Sequence, residues 1–286
     1  MSTSAVRHLT TRVPRRLFIS ADMEGIAGVA SVSQLMPGQF EYETARIWMT
    51  AEVSAAAQAA LEAGYDEVIV ADGHGNAQNL LPDRLPPGTT LIRSWPRPLG
   101  QVEWADMPGV EACMFIGFHS GARSGAGTLA HTLNGTLFAD VRLNGQSCSE
   151  AMLLGAFAGE IGVPVILISG DDAICGEVAS LMPGIVTCPV KTFIGWQSVA
   201  TALPQDAAAM VGAASARAVG QDRPAPFRLP APYRLEVEFT HPVIAELAGL
   251  LPGFRQISQA SVAAELPTMR AVLHMLGFLG SYPKGG

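Results

Sequence analysis

Short apolar runs that end abruptly in polar, chemistry-bearing residues set the rhythm of this chain. Leu17–Ile19 follow a proline and two arginines and break into Ser20-Ala21-Asp22-Met23-Glu24-Gly25. A compact apolar run of this kind predicts a short buried strand. Glu67–Ala71 (EVIVA) runs in the same way into Asp72-Gly73-His74-Gly75-Asn76, and Ala112–Phe118 (ACMFIGF) stops at His119. Val163–Ser169 (VPVILIS) stops at Gly170-Asp171-Asp172, and shorter strands are predicted at Thr90–Ile92 and Ile185–Val190. Between these runs lie helical stretches. Glu41–Ala63 is alanine-rich, free of glycine and proline, and closed by Gly64, which predicts a long helix. Ser147 or Ser149 caps a predicted helix to about Ile161 with Glu150 in its first turn. Further helices are predicted after Asp172 and over Ala207–Val219. Phe138–Leu143 alternates as a strand and leads into an Asn144-Gly145 turn.

Uniformly apolar strands alternating with helices predict an α/β fold, a largely parallel sheet flanked by helices. Gln221–Pro232 is dense in proline and reads as a linker. Beyond it, Arg234–Phe239 (RLEVEF) alternates as a half-exposed strand, and Ala260–Leu279 predicts a last helix interrupted at Pro267. The expected organisation is a flexible N-terminal tail at 1–16, the main α/β domain at 17–220 and a smaller C-terminal α+β lobe at 221–286.

Composition narrows the function classes. With 18 basic and 25 acidic residues among 286, the net charge of -7 argues against a nucleic-acid surface. No run approaches the roughly 18–20 apolar residues of a membrane span, and the basic first sixteen residues lack the apolar core of a secretory signal. The four cysteines, Cys113, Cys148, Cys175 and Cys188, show no CxxC spacing. Buried free thiols in a reducing cytoplasm are therefore expected. Positive mean hydropathy without a membrane segment points to extensive burial, and burial between identical subunits is one source of it.

The candidate chemistry lies at the strand ends. In parallel α/β sheets the ligand site lies beyond the carboxyl ends of the strands, where Asp22 and Glu24, Asp72 and His74, and His119 would converge. Carboxylates and imidazoles without thiolates suit catalytic Zn²⁺, with Mn²⁺ or Co²⁺ as alternatives. Asp22, Glu24, His74, His119 and Glu150 suffice for two ions when one carboxylate bridges. Two such ions bind a substrate carbonyl and lower the pKa of a shared water to near neutrality. Glu150 has a competing role as an ordinary acid at a helix N-terminus. The glycine-rich loop Ser120–Ala130, between His119 and His131, contains no GK[ST] and is not a phosphate-binding P-loop.

Asp22-Met23-Glu24-Gly25, Asp72-Gly73-His74, Gly117-Phe118-His119, His131, the Asn-Gly turn before Glu150 and Ser169-Gly170-Asp171-Asp172 resemble, in the same order, the bacterial zinc D-aminopeptidase family. The resemblance implies an α/β subunit with two zinc ions, assembled into a large ring-shaped homo-oligomer, a decamer being one such ring. It further implies removal of N-terminal D-amino acids such as D-Ala from short peptides. By the same resemblance, Asp22 is the carboxylate shared by both ions. Glu24 and His74 complete one zinc site, His119 and Glu150 the other, and His131 is the catalytic histidine. Asp171 or Asp172 is a candidate partner for the substrate ammonium, with helix capping the competing role for Asp171. Two rivals remain open at the sequence level. One is another metal-dependent amidase or phosphoesterase, for which Arg123 is the nearest cation. The other is a non-catalytic oligomeric binding protein with a relic site.

Overall fold

The computed structural model describes residues 12–281. In chain order its strands and helices are β1 (Arg16–Ala21), α1 (Tyr42–Glu62), β2 (Glu67–Asp72), β3 (Thr89–Ile92), β4 (Val110–Phe118), β5 (Phe138–Leu143) and β6 (Gln146–Ser147). Then follow α2 (Glu150–Glu160), β7 (Val165–Asp171), α3 (Asp172–Leu181), β8 (Val186–Gly195), β9 (Ser198–Thr201) and α4 (Pro204–Gly220). The chain ends with β10 (Tyr233–Phe239), α5 (Pro242–Ala248), β11 (Phe254–Gln256), β12 (Ser261–Leu266) and α6 (Met269–Ser281).

The main sheet has the order β3-β2-β1-β4-β7-β8-β9. All its pairings are parallel except β8 with β9. Its strands read as unbroken apolar runs because both faces are covered. Leu17, Ile19, Val68, Val70, Met114 and Ile116 pack in one cluster with residues of α1 and α4. Phe18, Ile69 and Phe115 turn to the opposite face and pack with α2. That helix is buried on every side, wedged between the main sheet and a second layer. Each fully buried leucine, isoleucine or phenylalanine contributes about 1.5–3 kcal/mol of transfer free energy, so this alternation fixes the strand register firmly.

The second layer is an antiparallel sheet of order β11-β12-β10-β5-β6. It draws β5 and β6 from before the proline-rich segment and β10, β11 and β12 from after it. Two sequence expectations change here. The stretch Ala260–Leu279 is not one interrupted helix. Its first half is β12, whose Ala264 lies opposite Leu235 of β10, so strand pairing overrides the helix propensity of its alanines, and α6 begins only after Pro267. The proline-rich stretch 221–232 is not a free linker either. The backbone of Phe227 lies against Gly159 of α2, close enough that a side chain there would collide with it.

Residues 1–11 of the expected tail lie outside the described residues. Arg12, Arg15 and Arg16 pair with Asp66, Glu111 and Glu67. No helix among the described residues is long and apolar enough to cross a membrane.

Successive connections run outward from β1 in one direction through β2 and β3, and in the other through β4, β7 and β8. The switch point therefore falls between β1 and β4, where a crevice opens at the carboxyl ends. The two strand ends are stitched together there. Asp22 N–H donates to Ile116 O and Gly25 N–H to Gly117 O, both at 2.8 Å. Gly117 has φ +76°, and a Cβ on it would stand 2.2 Å from Asp22 O. Gly117→Ala adds left-handed strain to a backbone collision, and we expect a cost above about 2 kcal/mol. Gly162→Ala, at φ +82° with nothing within 4 Å, should cost about 1 kcal/mol. Thermal midpoints of the two variants check this, the first falling clearly further than the second.

Candidate metal centre

Three strand ends and one helix start converge at the crevice. Asp22 and Glu24 follow β1, His74 follows β2, His119 follows β4, and Glu150 opens α2, whose N-cap Ser149 accepts from Met152 N–H. His131 arrives on the glycine-rich loop. Asp22, Glu24, His74, His119 and Glu150 are all buried, while the His131 side chain is 23% exposed. The five expected metal ligands and His131 are thus brought to one place.

The three imidazoles share one arrangement. His74 Nε2 donates to Leu35 O at 2.9 Å, and its Nδ1 faces Asp22 Oδ1 at 3.2 Å and Glu24 Oε2 at 3.0 Å. His119 Nδ1 donates to Ser120 O at 3.0 Å. Its Nε2 has no hydrogen-bond partner, although Glu150 Oε1 and Asp22 Oδ2 stand 3.3 and 3.6 Å away. His131 Nδ1 donates to Leu129 O at 2.8 Å, and its Nε2 points toward Glu24 Oε1 at 3.9 Å. In each ring one nitrogen is tied to a main-chain carbonyl, which leaves the other, as a lone pair, aimed at carboxylate oxygens. Lone pair facing lone pair is repulsive unless a cation or a proton lies between. Anchoring one ring nitrogen in this manner is how metal-binding histidines are oriented. The His119 and His131 rings stack, 4.2 Å between centroids and 9° from parallel.

Three overlapping triads can hold an ion: Asp22-Glu24-His74, Asp22-His119-Glu150 and Glu24-His119-His131. Asp22 belongs to the first two and turns one oxygen to each. The donor set of carboxylate oxygen and imidazole nitrogen, with the orphaned His119 Nε2, fits divalent zinc.

Electrostatics agree. Burial, the largest influence on His74 and His119, opposes charge there, yet the facing carboxylates outweigh it and raise both well above the ordinary histidine value. Burial pushes Glu24 and Glu150 upward, and the histidines reverse this, holding Glu24 well below the usual carboxylate range and Glu150 below it.

Several acids that resemble ligands in sequence serve the backbone instead. Asp72 accepts from Asn79 N–H, Asn79 Nδ2 and Leu80 N–H, which folds the turn after His74. Asp171 caps α3 through Ile174 N–H and accepts from Thr128 N–H at 2.6 Å, and Asp172 accepts from Phe193 N–H. Neither aspartate lines the cavity over the site. Arg123 is paired with Glu238 at the surface.

Two buried supports escaped sequence reasoning. Gln101 donates from Nε2 to Glu150 Oε2, and Leu133 N–H donates to Glu150 Oε1 at 2.8 Å. Lys191 donates to the carbonyls of Glu24, Ile26 and Val29, clamping the loop that carries Glu24. Burial pulls its pKa down to about 8. A signal for Lys191 was present, since it is one of only two lysines and stands in an apolar strand. Gln101 carries none.

The pH response of the metal-free protein follows from these shifts. Raised histidine pKa values give stability that is complete below about pH 6.5 and lost as pH rises through the folded values. Depressed carboxylate values give stability that is present above about pH 4.5 and lost as pH falls. Chelator-treated protein should therefore melt at progressively lower temperature as pH rises above 6.5. Added zinc should restore the midpoint most at the alkaline end and release protons on binding. Melting curves from pH 5 to 9 test this, and a metal-free midpoint that climbs above pH 6.5 would contradict it.

Comparison with known proteins identifies the family. A family model described as D-aminopeptidase, peptidase M55, matches residues 15–278. A D-aminopeptidase of Bacillus subtilis (strain 168) is 32% identical over 242 residues, 83% of this chain and 86% of the relative. The solved structure of zinc-dependent D-aminopeptidase DppA from Bacillus subtilis, described as a self-compartmentalizing protease, superposes with a TM-score of 0.87. It is 28% identical, and the match covers 95% of this chain and 100% of that one. Matched by the family model over nearly its whole length and by a relative above 30% identity, this chain belongs to the M55 D-aminopeptidase family.

Proposed function

We propose that this protein is a zinc-dependent aminopeptidase that removes the N-terminal residue, a D-amino acid such as D-Ala, from short peptides or amides. The observation that carries the proposal is the pair of backbone-anchored imidazoles, His74 and His119, facing buried carboxylates in two triads that share Asp22. In this reading Asp22 would be shared by two ions, Glu24 and His74 would hold one with it, and His119 and Glu150 would hold the other. Zinc held there supplies Lewis acidity toward a carbonyl and lowers the pKa of water.

The chain's own residues supply orientation and proton handling. Gln101 and Leu133 N–H aim both oxygens of Glu150, and Lys191 fixes the Glu24 loop from behind. His131 stands at the cavity side with its Nδ1–H committed to Leu129 O. Nε2 is then the atom that takes up a proton and delivers it to the departing amine. Direct attack by the same nitrogen is the covalent variant of this role. A phosphoesterase is disfavoured. Among the described residues lining the cavity, Arg97 is the one arginine or lysine; it stacks on Trp95 and donates from Nη2 to Asp72 O, and although its Nε and Nη1 have no hydrogen-bond partner, it is a single cation beside three carboxylates.

Large exposed apolar side chains, among them Phe40, Ile194 and Leu250, accord with assembly into a large homo-oligomeric ring such as a decamer. The four unpaired buried cysteines accord with a cytoplasmic location.

Paired assays of D-Ala and L-Ala amides, with and without chelator, test the activity. Turnover of the D-amide that chelation abolishes is expected, and equal rates on both amides would refute D-specificity. Asp22→Ala should lose both metal equivalents and Glu24→Ala mainly one. His131→Ala should keep both and lose roughly 10²–10⁴-fold in kcat. Loss of a metal from the His131 variant would make it a ligand instead.

A further inference from the structure

The clustered carboxylates and the imidazoles of His74 and His131 occupy only one wall of their cavity. The cavity measures about 1060 Å³, far more space than the methyl side chain of alanine requires. Away from the charged cluster it is walled by Leu133, Phe138, Leu154, Leu273 and Leu276, with the exposed His274 and Ser281 of α6 also on its lining. The apolar side chains extend the core cluster formed between the two sheets, so this part of the cavity is an apolar chamber continuous with the metal centre.

Two features bear on what fills it. The first is α6, which presents Gly277 and Gly280 to the cavity. Glycine inside a helix is destabilising relative to alanine, so two glycines in a helix of 13 residues need a reason. Crowding is not the reason. A Cβ on Gly277 would meet nothing within 4 Å, and one on Gly280 would make ordinary contact with Phe138 at 3.7 Å. What the missing side chains leave is open chamber. The second feature is Gln101, 7% exposed and lining the same cavity. Its Nε2 donates to Glu150, which fixes the amide, since the opposite orientation would set oxygen against carboxylate. Its Oε1 is left without a hydrogen-bond partner. Buried acceptors of this kind are rare and call for a donor, and the amino and amide N–H groups of a peptide are such donors.

We infer that the chamber is a subsite for a large apolar side chain of the peptide substrate, of leucine or phenylalanine size, beside a polar edge formed by Gln101. The inference rests on the aminopeptidase reading and extends it from alanine to bulky apolar substrates. Such a side chain belongs either to the N-terminal residue or to the residue that follows it, and the two arms of the test separate these sources.

The experiment uses the full chain loaded with zinc. One arm compares D-Leu and D-Phe amides with D-Ala amide. The other compares D-Ala-Leu and D-Ala-Phe with D-Ala-Ala. A methylene placed in an apolar pocket changes kcat/KM by roughly 10–200-fold, so in at least one arm the bulky substrate should exceed its alanine counterpart about tenfold or more. Gly277→Leu fills the chamber from an exposed helix position and should lower that ratio about tenfold. Gly277→Ala should move it in the same direction by less. Alanine substrates that match or exceed the bulky ones in both arms would overturn the inference, as would a ratio that Gly277→Leu leaves unchanged. Alanine turnover with no gain from bulk overturns this inference alone. Absence of turnover on every D-aminoacyl substrate overturns the aminopeptidase reading and this inference with it.

Discussion

Three carboxylates held out of water within reach of one another are the constraint on which the rest of this structure depends. Asp22, Glu24 and Glu150 are each at most 2% exposed, and unpaired charges so deeply buried cost several kcal/mol apiece. The fold answers with imidazoles, each tethered to a carbonyl on the side away from the acids. Tethering matters as much as charge, because an imidazole free to turn would satisfy itself elsewhere and leave the acids uncompensated. The glycines at the ends of β1 and β4 serve the same constraint. They let the two backbones meet closely enough for Asp22 and His119 to face each other across one strand spacing.

A second tier of buried polar groups keeps that first tier in register. Lys191 closes over three carbonyls of the loop after Glu24. Glu52 accepts from Ala27 N–H in the same loop, and burial pushes its pKa up to about 7. On the far side, Asp171 holds Thr128, while the β8–β9 hairpin takes hold of the next two residues. Leu129 N–H donates to Trp196 O, and the Trp196 indole donates to Ala130 O. The glycine-rich loop is therefore pinned at three successive residues just before His131. Its glycines supply the turns, and the acids and the hairpin supply the position.

This division explains what the sequence disclosed and what it withheld. The strands of the main sheet were legible because both faces are covered, which makes them continuous apolar runs. Asp22, Glu24, His74 and His119 were legible because parallel strands deliver their carboxyl ends to one edge, whereas His131, on a loop, was marked only by the family resemblance. Asp72 and Asp171 follow strands in the same manner as Asp22, and local pattern does not separate them. Only the three-dimensional neighbours reveal that Asn79 and Thr128 consume their lone pairs. The second sheet was hidden for a related reason. Pairing of β5 with β10 joins segments roughly a hundred residues apart, and the alanines of β12 favour a helix until that strand pairs with the other edge of β10. Gln101 was invisible because its importance comes entirely from Glu150, a residue 49 positions away.

The arrangement also bears on how ions and protons share the site. Raised histidine and lowered glutamate pKa values mean that protons on the imidazoles compensate Glu24 and Glu150 when metal is absent. The donor groups sit on strand ends and a helix start, and main-chain hydrogen bonds orient the imidazoles and two of the carboxylates, Asp22 and Glu150. An ion entering such a site displaces protons and finds the donors already placed. Little ordering entropy then opposes binding. His131 differs from the other two histidines in this respect. It lies on a pinned loop at the cavity side, partly exposed, and its Nε2 is farther from any carboxylate than the free nitrogen of either His74 or His119. A nitrogen less engaged with the acids and in reach of the cavity accords with the proposed role of carrying a proton to and from substrate.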